Sequence, residues 1–488
     1  MQIDSLLEKR ERAIYQLLLF VENRKDAPLL KDVCRHLDLT KSTLLRYIDS
    51  FNEESHAAEL GLLFHLEEEK VSLQKDARLS QQQILSYLFQ PSIKYQIIVF
   101  LLDKEDVSLQ TLSQELLISE ATLNRHLASL NQLLAEFGIA IKSGRLKGSE
   151  LQIRYFLHQV LLLTTVSSKY QEEFARRHLD ALLPLFERFY QSKLNPKQAY
   201  RLLLWLMISQ QRSKLQQLDY KALYSLMRPY QDHKFYRQLR KMYLTVGQQQ
   251  SASFQEGDIM ALFAFLFSHF ILEPHQLEQV LGFGGPIMQA TSLALHVFRS
   301  DLGESLSISE EALYHLNQTM SQLYFFQSSL ELEVVQELSF EDESAQLLKN
   351  VFKTAFHRSL DADQVMAGYS LKIKALYVYF SQIKPIQVKI GFASSLHEVL
   401  SYPLLMQLRE KLEGNRQVLI DPYQNGESYD FIITDYLNES SCPIYYLGTQ
   451  LKMYDVVQLK SIIQELYNQK ARQSEKIATQ TPFPIEHR

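Results

Sequence analysis

Apolar residues recur at three- and four-residue spacing along most of the chain, from residue 1 to about residue 380. This spacing places them on one face of an α-helix, and few glycines or prolines interrupt it. From Ile386 the pattern changes to short β-rich runs, "IQVKIGF", "RQVLID", "YDFIITDY" and "CPIYYLG", which alternate with helical or turn segments. Such alternation is typical of a small α/β sheet. The pattern therefore predicts a mainly α protein with a small C-terminal α/β domain.

The N-terminal part of the chain contains one unit twice. The run "YQLLLFVENRKD" at residues 15–26 aligns with "YQIIVFLLDKED" at residues 95–106. After a one-residue shift, "LTKSTLLRYIDSFN" aligns with "ISEATLNRHLASLN", so that Asn52 meets Asn131. Each copy is predicted to form two helices, a tight turn, a third helix and a β-hairpin.

The third helix of the second copy has one apolar and one polar face. Ser119 is a good N-cap because its hydroxyl can accept a hydrogen bond from an early backbone N–H. The apolar face is a stripe of leucines that should pack on the preceding helix: Leu123, Leu127, Leu130 and Leu134. The opposite face carries small and hydrogen-bonding residues: Ala121, Thr122, Arg125 and Ser129. Such a face fits the DNA major groove, where arginine pairs with guanine O6 and N7.

The hairpin after this helix is basic. The run "IAIKSGRLKGSELQI" contains a turn at Gly144 that is flanked by Lys142, Arg145 and Lys147. A basic hairpin of this kind can lie across the phosphates beside the groove and is known as a wing. Helix and wing together predict a winged helix-turn-helix. The alternative is a helical hairpin that only packs against its neighbours.

The first copy has a similar helix and an acidic wing. After the cap Thr40, its third helix offers four candidate DNA contacts: Lys41, Ser42, Arg46 and Tyr47. The hairpin "LGLLFHLEEEKVSLQ" is acidic where DNA phosphates would lie. Residues 1–150 contain 18 lysines and arginines against 22 aspartates and glutamates. The second copy is therefore expected to carry most of the DNA affinity, and a homodimer or higher oligomer would add to it through effective concentration.

Composition excludes several classes of protein. A chain of 488 residues is longer than one hydrophobic core usually holds, so three to five domains are expected. A formal charge of −5 argues against a polyanion-coating protein, so contact with double-stranded DNA must be local. The two cysteines, Cys34 and Cys442, are far apart and predict neither a disulfide framework nor a zinc site.

No signal peptide or membrane span is evident, which predicts a cytoplasmic protein without a membrane partner. No P-loop, paired-carboxylate motif or nucleophile elbow is found, so neither an enzyme nor a cofactor is expected.

The run "SEATLNRHLASLNQLLAEFGIAI" and the order of parts resemble the Mga and RofA-like group of streptococcal stand-alone virulence regulators, and the similar anthrax toxin activator. The resemblance implies a transcriptional regulator, an activator or a repressor, with two helical phosphotransferase-system regulation domains (PRDs) and a C-terminal domain similar to sugar-transporter enzyme IIB (EIIB). The expected boundaries are 1–78 and 79–155 for two winged helix-turn-helix domains, 156–280 and 281–384 for two PRD-like bundles, 385–475 for the EIIB-like domain, and 476–488 for a flexible tail.

Histidines of the helical middle are the phosphorylation candidates that the resemblance implies. His269 lies near a helix end where the second histidine of such a domain is often found, and His315 lies where the next domain would have its first. His233 is a third candidate. A phosphocarrier protein of the phosphotransferase system would be the donor, and the added charge would repack an interface. Trp205 lies where the first acceptor histidine is expected, and the alternative role for all three candidates is that of ordinary bundle residues.

The C-terminal domain departs from the enzyme IIB pattern. A phosphoacceptor cysteine is expected just after the first strand, whereas residues 391–395 read "GFASS". Serine hydroxyls without a neighbouring base are poor substitutes for a thiolate. The domain is therefore expected to serve dimerisation or partner docking. The predicted function is sequence-specific regulation of virulence or surface-adhesion genes, tuned by histidine phosphorylation; the alternatives are a tandem winged-helix replication initiator and a phosphotransferase-relay protein.

Overall fold

The computed structural model describes residues 1–104, 107–165, 167–215, 217–249, 255–272, 284–302, 310–330, 372, 375–376, 379–380, 388–412, 418–424, 426–436, 442–448 and 450–479. These residues form a mostly helical protein with a small parallel sheet near the C-terminal end, as predicted. The chain divides into two compact units. One holds residues 1–291 and the segment that begins at Leu316, and the other holds residues 292–315 and the segment that begins at Ala375.

The first repeat forms three helices and an antiparallel hairpin in the predicted order. Its elements are α1 (Lys9–Glu22), α2 (Leu30–Leu37), α3 (Lys41–Ala57), β1 (Leu62–Glu67) and β2 (Lys70–Lys75). Its core is apolar and includes Leu18, Val33, Leu44, Phe51 and Val71, each at most 2% exposed. The helix α4 (Gln81–Phe89) then leads into the second repeat.

The second repeat has the same order of elements. They are α5 (Ile93–Asp103), α6 (Leu109–Glu115), α7 (Glu120–Leu134), β3 (Ala140–Lys142) and β4 (Arg145–Lys147). The four leucines of α7 are buried as predicted, and Leu127 is the most exposed of them at 8%. The apolar period of α7 therefore decides which of its faces remains outside.

The helical middle continues directly from the second hairpin. Its helices are α8 (Glu150–Thr164), α9 (Ser167–Arg176), α10 (Leu183–Tyr190), α11 (Pro196–Arg212), α12 (Lys221–Met227), α13 (Lys234–Gln249), α14 (Glu256–Leu266), α15 (Pro286–Leu302) and α16 (Glu310–Phe325). Helix α8 is buried on nearly all sides, which is why its sequence is apolar around most of its circumference. The domain boundary expected after residue 155 falls inside α8, so this helix runs from one expected domain into the next.

The C-terminal sheet has four parallel strands in the order β6-β5-β7-β8. Its elements are β5 (Val388–Ala393), α17 (Glu398–Leu412), β6 (Val418–Pro422), β7 (Phe431–Thr434), β8 (Ile444–Tyr446) and α18 (Met453–Thr479). The strands coincide with the four β-rich runs of the sequence. Helix α18 continues to Thr479, so residues 476–479 of the predicted tail are helical, and residues 480–488 lie outside the described part of the chain.

A membrane-spanning helix was not predicted. Among the described residues, no single helix combines the length and the apolar character that a membrane crossing requires. One pair of helices reaches that length and composition when the two are taken together: Gln81–Phe89 and Ile93–Leu102. The two helices meet at an angle of 91°.

Candidate nucleic-acid interface

Both repeats begin their third helix in the same way. The Thr40 hydroxyl accepts a hydrogen bond from the Thr43 backbone N–H at 3.3 Å, and the Ser119 hydroxyl accepts one from the Thr122 backbone N–H at 3.2 Å. Two residues earlier, the turn between the second and third helices contains a residue of positive φ, Asp38 in one copy and Leu117 in the other. These caps and turns fix where α3 and α7 begin, and thereby which residues occupy their first, outward-facing turn.

A single asparagine in each repeat holds the wing against the third helix. The Asn131 side chain accepts a hydrogen bond from the Ile141 N–H at 2.6 Å and donates one to the Ile141 carbonyl oxygen at 3.0 Å. Asn52 makes the same two hydrogen bonds with Phe64, at 2.9 and 2.7 Å. The repeat alignment paired these asparagines, and the structure supplies the reason: each satisfies both backbone groups of one residue in the first wing strand.

The outer face of α7 is open to a ligand. Ala121 and Arg125 are exposed, and Thr122 and Ser129 are half-buried. Within the described part of the chain, the Arg125 guanidinium makes no hydrogen bond or ion pair with the protein, so its five N–H donors are available to base edges. Its neighbours on this face of α7 have small side chains: Ala121, Thr122 and Ser129. The helix therefore offers the small, polar surface that close approach to the floor of the major groove requires.

The two strands of the second wing are joined by a tight turn in which position 144 accepts only glycine. Ser143 and Gly144 both have positive φ, 50° and 68°. A β-carbon on Gly144 would lie 1.7 Å from the Val107 carbonyl oxygen, so a side chain there is excluded and the turn packs onto the loop before α6. Lys142 and Lys147 are exposed on the two strands, and Arg145 is half-buried. The basic residues thus lie on a hairpin that is fixed at its tip and at Asn131.

The first repeat differs at the tip of its wing. Glu68 and Glu69 occupy the turn, and the Glu69 carboxylate pairs with the Lys41 ammonium at 2.6 Å. An anion of the protein itself therefore stands beside the first residue of α3. Arg46 is exposed and lies over the Tyr47 ring at 5.6 Å, while Ser42 is exposed. Of the predicted contact residues of this repeat, Lys41 is thus already neutralised by a carboxylate.

The comparison with known families identifies the second repeat. Residues 77–161 match the Mga helix-turn-helix domain, and the match contains α7 and the basic wing. No curated protein matches the chain. The predicted resemblance to the Mga-like regulators is confirmed for this segment. The class of protein that fold and match define is a helix-turn-helix DNA-binding transcription regulator.

Two of the three candidate histidines are buried. His269 is 8% exposed, its Nδ1 lies 2.8 Å from the Ser268 hydroxyl, and its ring stacks on Phe265. Burial, followed by the neighbouring His158, holds the pKa of His269 well below its ordinary value of 6.5. His233 is 5% exposed and accepts a hydrogen bond at Nδ1 from the Phe235 backbone N–H. Neither ring faces solvent in this conformation, so a donor protein reaches these two only after the bundle opens.

His315 differs from the other two candidates. Its side chain is 37% exposed, and its Nε2 lies 3.7 Å from the Glu311 carboxylate, one helical turn earlier in α16. A carboxylate at this position can orient the imidazole ring. Of the three candidates, only His315 presents the accessible ring that phosphoryl transfer requires.

The loop after β5 binds a carboxylate of its own chain. Asp435, which follows β7, accepts hydrogen bonds from the Ser395 backbone N–H at 2.6 Å, the Ser395 hydroxyl at 2.9 Å and the Ser394 hydroxyl at 3.1 Å. Burial acts to raise the pKa of Asp435, but the hydrogen bonds from Ser395 and Ser394 outweigh it and lower the pKa. The donors at the end of β5 are therefore occupied by a fixed anion.

Sequence reasoning missed a buried network that joins α8, the helix that follows the second wing, to α11 and α14. Glu150, the first residue of α8, accepts two hydrogen bonds from Arg212 at 3.0 and 2.8 Å and one from Arg154 at 2.9 Å. Arg154 also donates to Asp258 at 2.6 Å. All four side chains are at most 5% exposed, and their formal charges cancel. The sequence signal was weak, because Glu150 and Arg154 alone resemble an ordinary surface pair one helical turn apart.

Proposed function

We propose that the protein is a sequence-specific transcription regulator that reads DNA through α7 and its basic wing. The exposed, unpaired Arg125 on a face of small residues, within the segment that matches the Mga helix-turn-helix domain, is the observation that carries this proposal. The candidate contacts on α7 are Ser119, Ala121, Thr122, Arg125 and Ser129, and those on the wing are Lys142, Arg145 and Lys147. Lys41, Ser42, Arg46 and Tyr47 of the first repeat are secondary contacts.

In this proposal both repeats are winged helix-turn-helix domains. They share the cap, the turn of positive φ and the asparagine clamp, which supports a common fold. They differ in charge at the wing, which supports a division of labour. The second reads the operator, and the first assists with lower affinity, because Glu69 competes with phosphate for Lys41.

The test is selection of binding sites from a random duplex library by the full-length protein, together with genome-wide occupancy. We expect one enriched sequence motif, which Arg125→Ala weakens and Arg78→Ala, a matched change of an exposed arginine after the first hairpin, leaves intact. Occupied promoters upstream of surface-adhesion or virulence genes would support the finer function that the resemblance implies. An absence of any enriched motif would remove the proposal.

The regulatory input in this proposal is phosphorylation from the sugar phosphotransferase system. His315 is its best-supported acceptor, because its ring is the accessible one among the candidates. The assay incubates the full-length protein with the general phosphotransferase proteins and phosphoenolpyruvate and follows an acid-labile label. His315→Ala should remove most of the label, whereas His269→Ala and His233→Ala should not. Equal labelling of all three variants and the wild type would rule out these acceptors.

The proposal includes a homodimer formed through the C-terminal domain. Several apolar side chains are more than half exposed near the starts of α17 and α18: Val399, Leu400, Tyr402, Met453, Tyr454 and Val457. Exposed apolar side chains at this density are typical of protein contact surfaces. Leu400→Asp together with Tyr454→Asp should convert the dimer to a monomer in light scattering. The control is Leu66→Asp, which places one charge at an exposed apolar position of the first hairpin and should leave the dimer unchanged.

The two alternative functions receive less support. A phosphotransferase-relay protein needs a reactive acceptor after the first strand, where the loop instead holds Asp435 through its own serines. A replication initiator needs the tandem winged helices but has no use for the helical middle and the parallel sheet. Binding to promoters rather than to a replication origin in the occupancy experiment distinguishes the two DNA-binding functions.

A further inference from the structure

Positive charge is concentrated in one stretch of the helical middle. Residues 193–241 contain eleven lysines and arginines against two aspartates, whereas the chain as a whole has a formal charge of −5. Ion pairs neutralise only part of this excess positive charge: Arg212 pairs with Glu150, and Arg240 pairs with Glu256. A surface segment with a large excess of positive charge in an otherwise acidic protein indicates an anionic partner.

We use the name basic face for five of these cations, which lie just after α11, at the two ends of α12 and in the first turn of α13. They are exposed, and their side chains make no hydrogen bond or ion pair with the described residues: Lys214, Lys221, Arg228, Lys234 and Arg237. Lys193 and Lys197 share these properties but lie at the other end of the 17-residue helix α11. They are therefore a natural control for the effect of net charge alone.

Helices α12 and α13 each present their cations on the side opposite to their buried residues. Lys221 is the first residue of α12, and Arg228 caps its C-terminal end with backbone that is still helical, so the two lie about two turns apart with Tyr224, 43% exposed, between them. On α13, Lys234 and Arg237 lie one turn apart, while the buried side is apolar and aromatic: Tyr236, Leu239 and Tyr243. The cations point outward because the apolar period of both helices is used for packing.

The basic face begins beside the wing of the second repeat. The Glu150 backbone N–H, three residues after Lys147, donates a hydrogen bond of 2.8 Å to the Asp219 carbonyl oxygen, two residues before Lys221. The Glu150 carboxylate also holds Arg212, two residues before Lys214. The chain segments between Lys147 and Lys221 therefore allow a separation of at most about 25 Å. The wing and the basic face belong to one compact unit.

We propose that the basic face binds the phosphate backbone of DNA next to the segment contacted by the second wing. The inference rests on the proposed function, because it takes α7 and the wing as the elements that position the duplex. The side chains supply charge without base specificity, as lysines and arginines at phosphates do. They also offset the acidic character of residues 1–150, which hold 18 cations against 22 anions. An acidic protein is the other kind of partner for such a face, but the closeness of the wing favours DNA.

The experiment compares Lys221→Ala/Arg228→Ala with the control Lys193→Ala/Lys197→Ala in the full-length protein. Each variant removes two exposed cations, so the net charges are equal. The probe is a fluorescently labelled mixed-sequence duplex of about 40 base pairs, and its affinity is measured by anisotropy across a series of KCl concentrations. Because each lost phosphate contact lowers the salt exponent by about 0.9, the first variant should lower it by about 2 and bind about 10- to 50-fold more weakly near 0.1 M salt.

The outcomes separate this inference from the proposed function. The control should keep the wild-type exponent and lie within about twofold of wild-type affinity. Equal losses in both variants, or no loss in the first, would overturn the basic face while leaving the reading of DNA by α7 in place. Failure of the wild-type protein to bind any duplex would instead remove the proposed function. Thermal melting of each variant, expected to match wild type because the changed residues are exposed, excludes loss of the fold as the cause.

Discussion

Replacing Asn131 with alanine tests whether the second wing is the DNA-binding element. The substitution removes two hydrogen bonds that hold the first strand of this wing, at 2.6 Å from the Ile141 N–H and at 3.0 Å to its carbonyl oxygen. Both backbone groups belong to a residue that is 5% exposed, so water replaces the lost partners only after the strand moves. Such a loss costs about 1 to 3 kcal/mol of stability.

The first repeat contains the matched control. Asn52→Ala removes the same two hydrogen bonds, at 2.9 and 2.7 Å, from the Phe64 backbone, which is also buried. Because the geometries are equivalent, urea unfolding should give similar stability losses for the two variants. Their effects on DNA should differ, since the strand released by Asn131 carries Lys142 and leads to Arg145, whereas the strand released by Asn52 leads to glutamates.

The assay is anisotropy titration of the selected operator across a salt series. We expect Asn131→Ala to weaken binding at least tenfold and to lower the salt exponent by about 2 to 3, the number of basic wing residues that lose their position. Asn52→Ala should stay within about threefold of wild type. The reasoning is refuted if the two variants lose affinity equally, or if Asn131→Ala loses stability but keeps both affinity and salt exponent.

Three further predictions concern single groups. Arg125→Ala should cost about 1 to 3 kcal/mol of operator binding in gel-shift titrations if it reads a base, and Arg46→Ala should cost less; a severe effect of Arg46 with a silent Arg125 would reverse the assignment. Burial lowers the pKa of His158 to about 3 and that of His269 well below 6.5, so the folded state binds fewer protons and the stability from both neutral rings is lost as the pH falls below about 6.5. Urea unfolding should show a loss of stability between pH 7.5 and 5.0 to which His158 contributes about 2 kcal/mol, and His158→Gln should remove that share. Asp258→Asn should lower the free energy of unfolding by about 3 to 5 kcal/mol, because it leaves buried guanidinium charge unbalanced; a loss below about 1 kcal/mol would show that the network relaxes.

Local signals in the sequence were sufficient to predict the elements of the second repeat. Ser119 and the leucine stripe of α7 lie within one helix, so capping and helical period predict the start of the helix and its buried face. The four C-terminal strands were predicted for the same reason, since each is a short β-rich run bounded by turns. Their order in the sheet depends on contacts distant in sequence and did not follow from the runs themselves.

Residues whose role depends on distant partners were not predictable in this way. The alignment paired Asn52 with Asn131, but their hydrogen bonds to the wing depend on how the hairpin folds back onto the helix. His269 was a candidate because the resemblance implies a histidine near this helix end, yet aromatic residues of several helices bury it. The apolar period of the sequence describes one helix or strand at a time, whereas the contacts of these three residues involve at least two such elements.

Helix α8 shows how such distant contacts can matter for function. Its first residue follows the second wing after two residues, and it touches α14 at two levels. At one level Arg154 pairs with Asp258 near the start of α14, and at the other His158 packs at 4.9 Å from Phe265 near its end. Two contacts along one helix fix its rotation as well as its position, and a buried ion pair has little tolerance for a shift because its charges would stay buried once they are separated. Any rearrangement that moves α14 must therefore move α8 with it or break the pair, so the basic wing is mechanically tied to the core of the helical middle and not only to its own three helices.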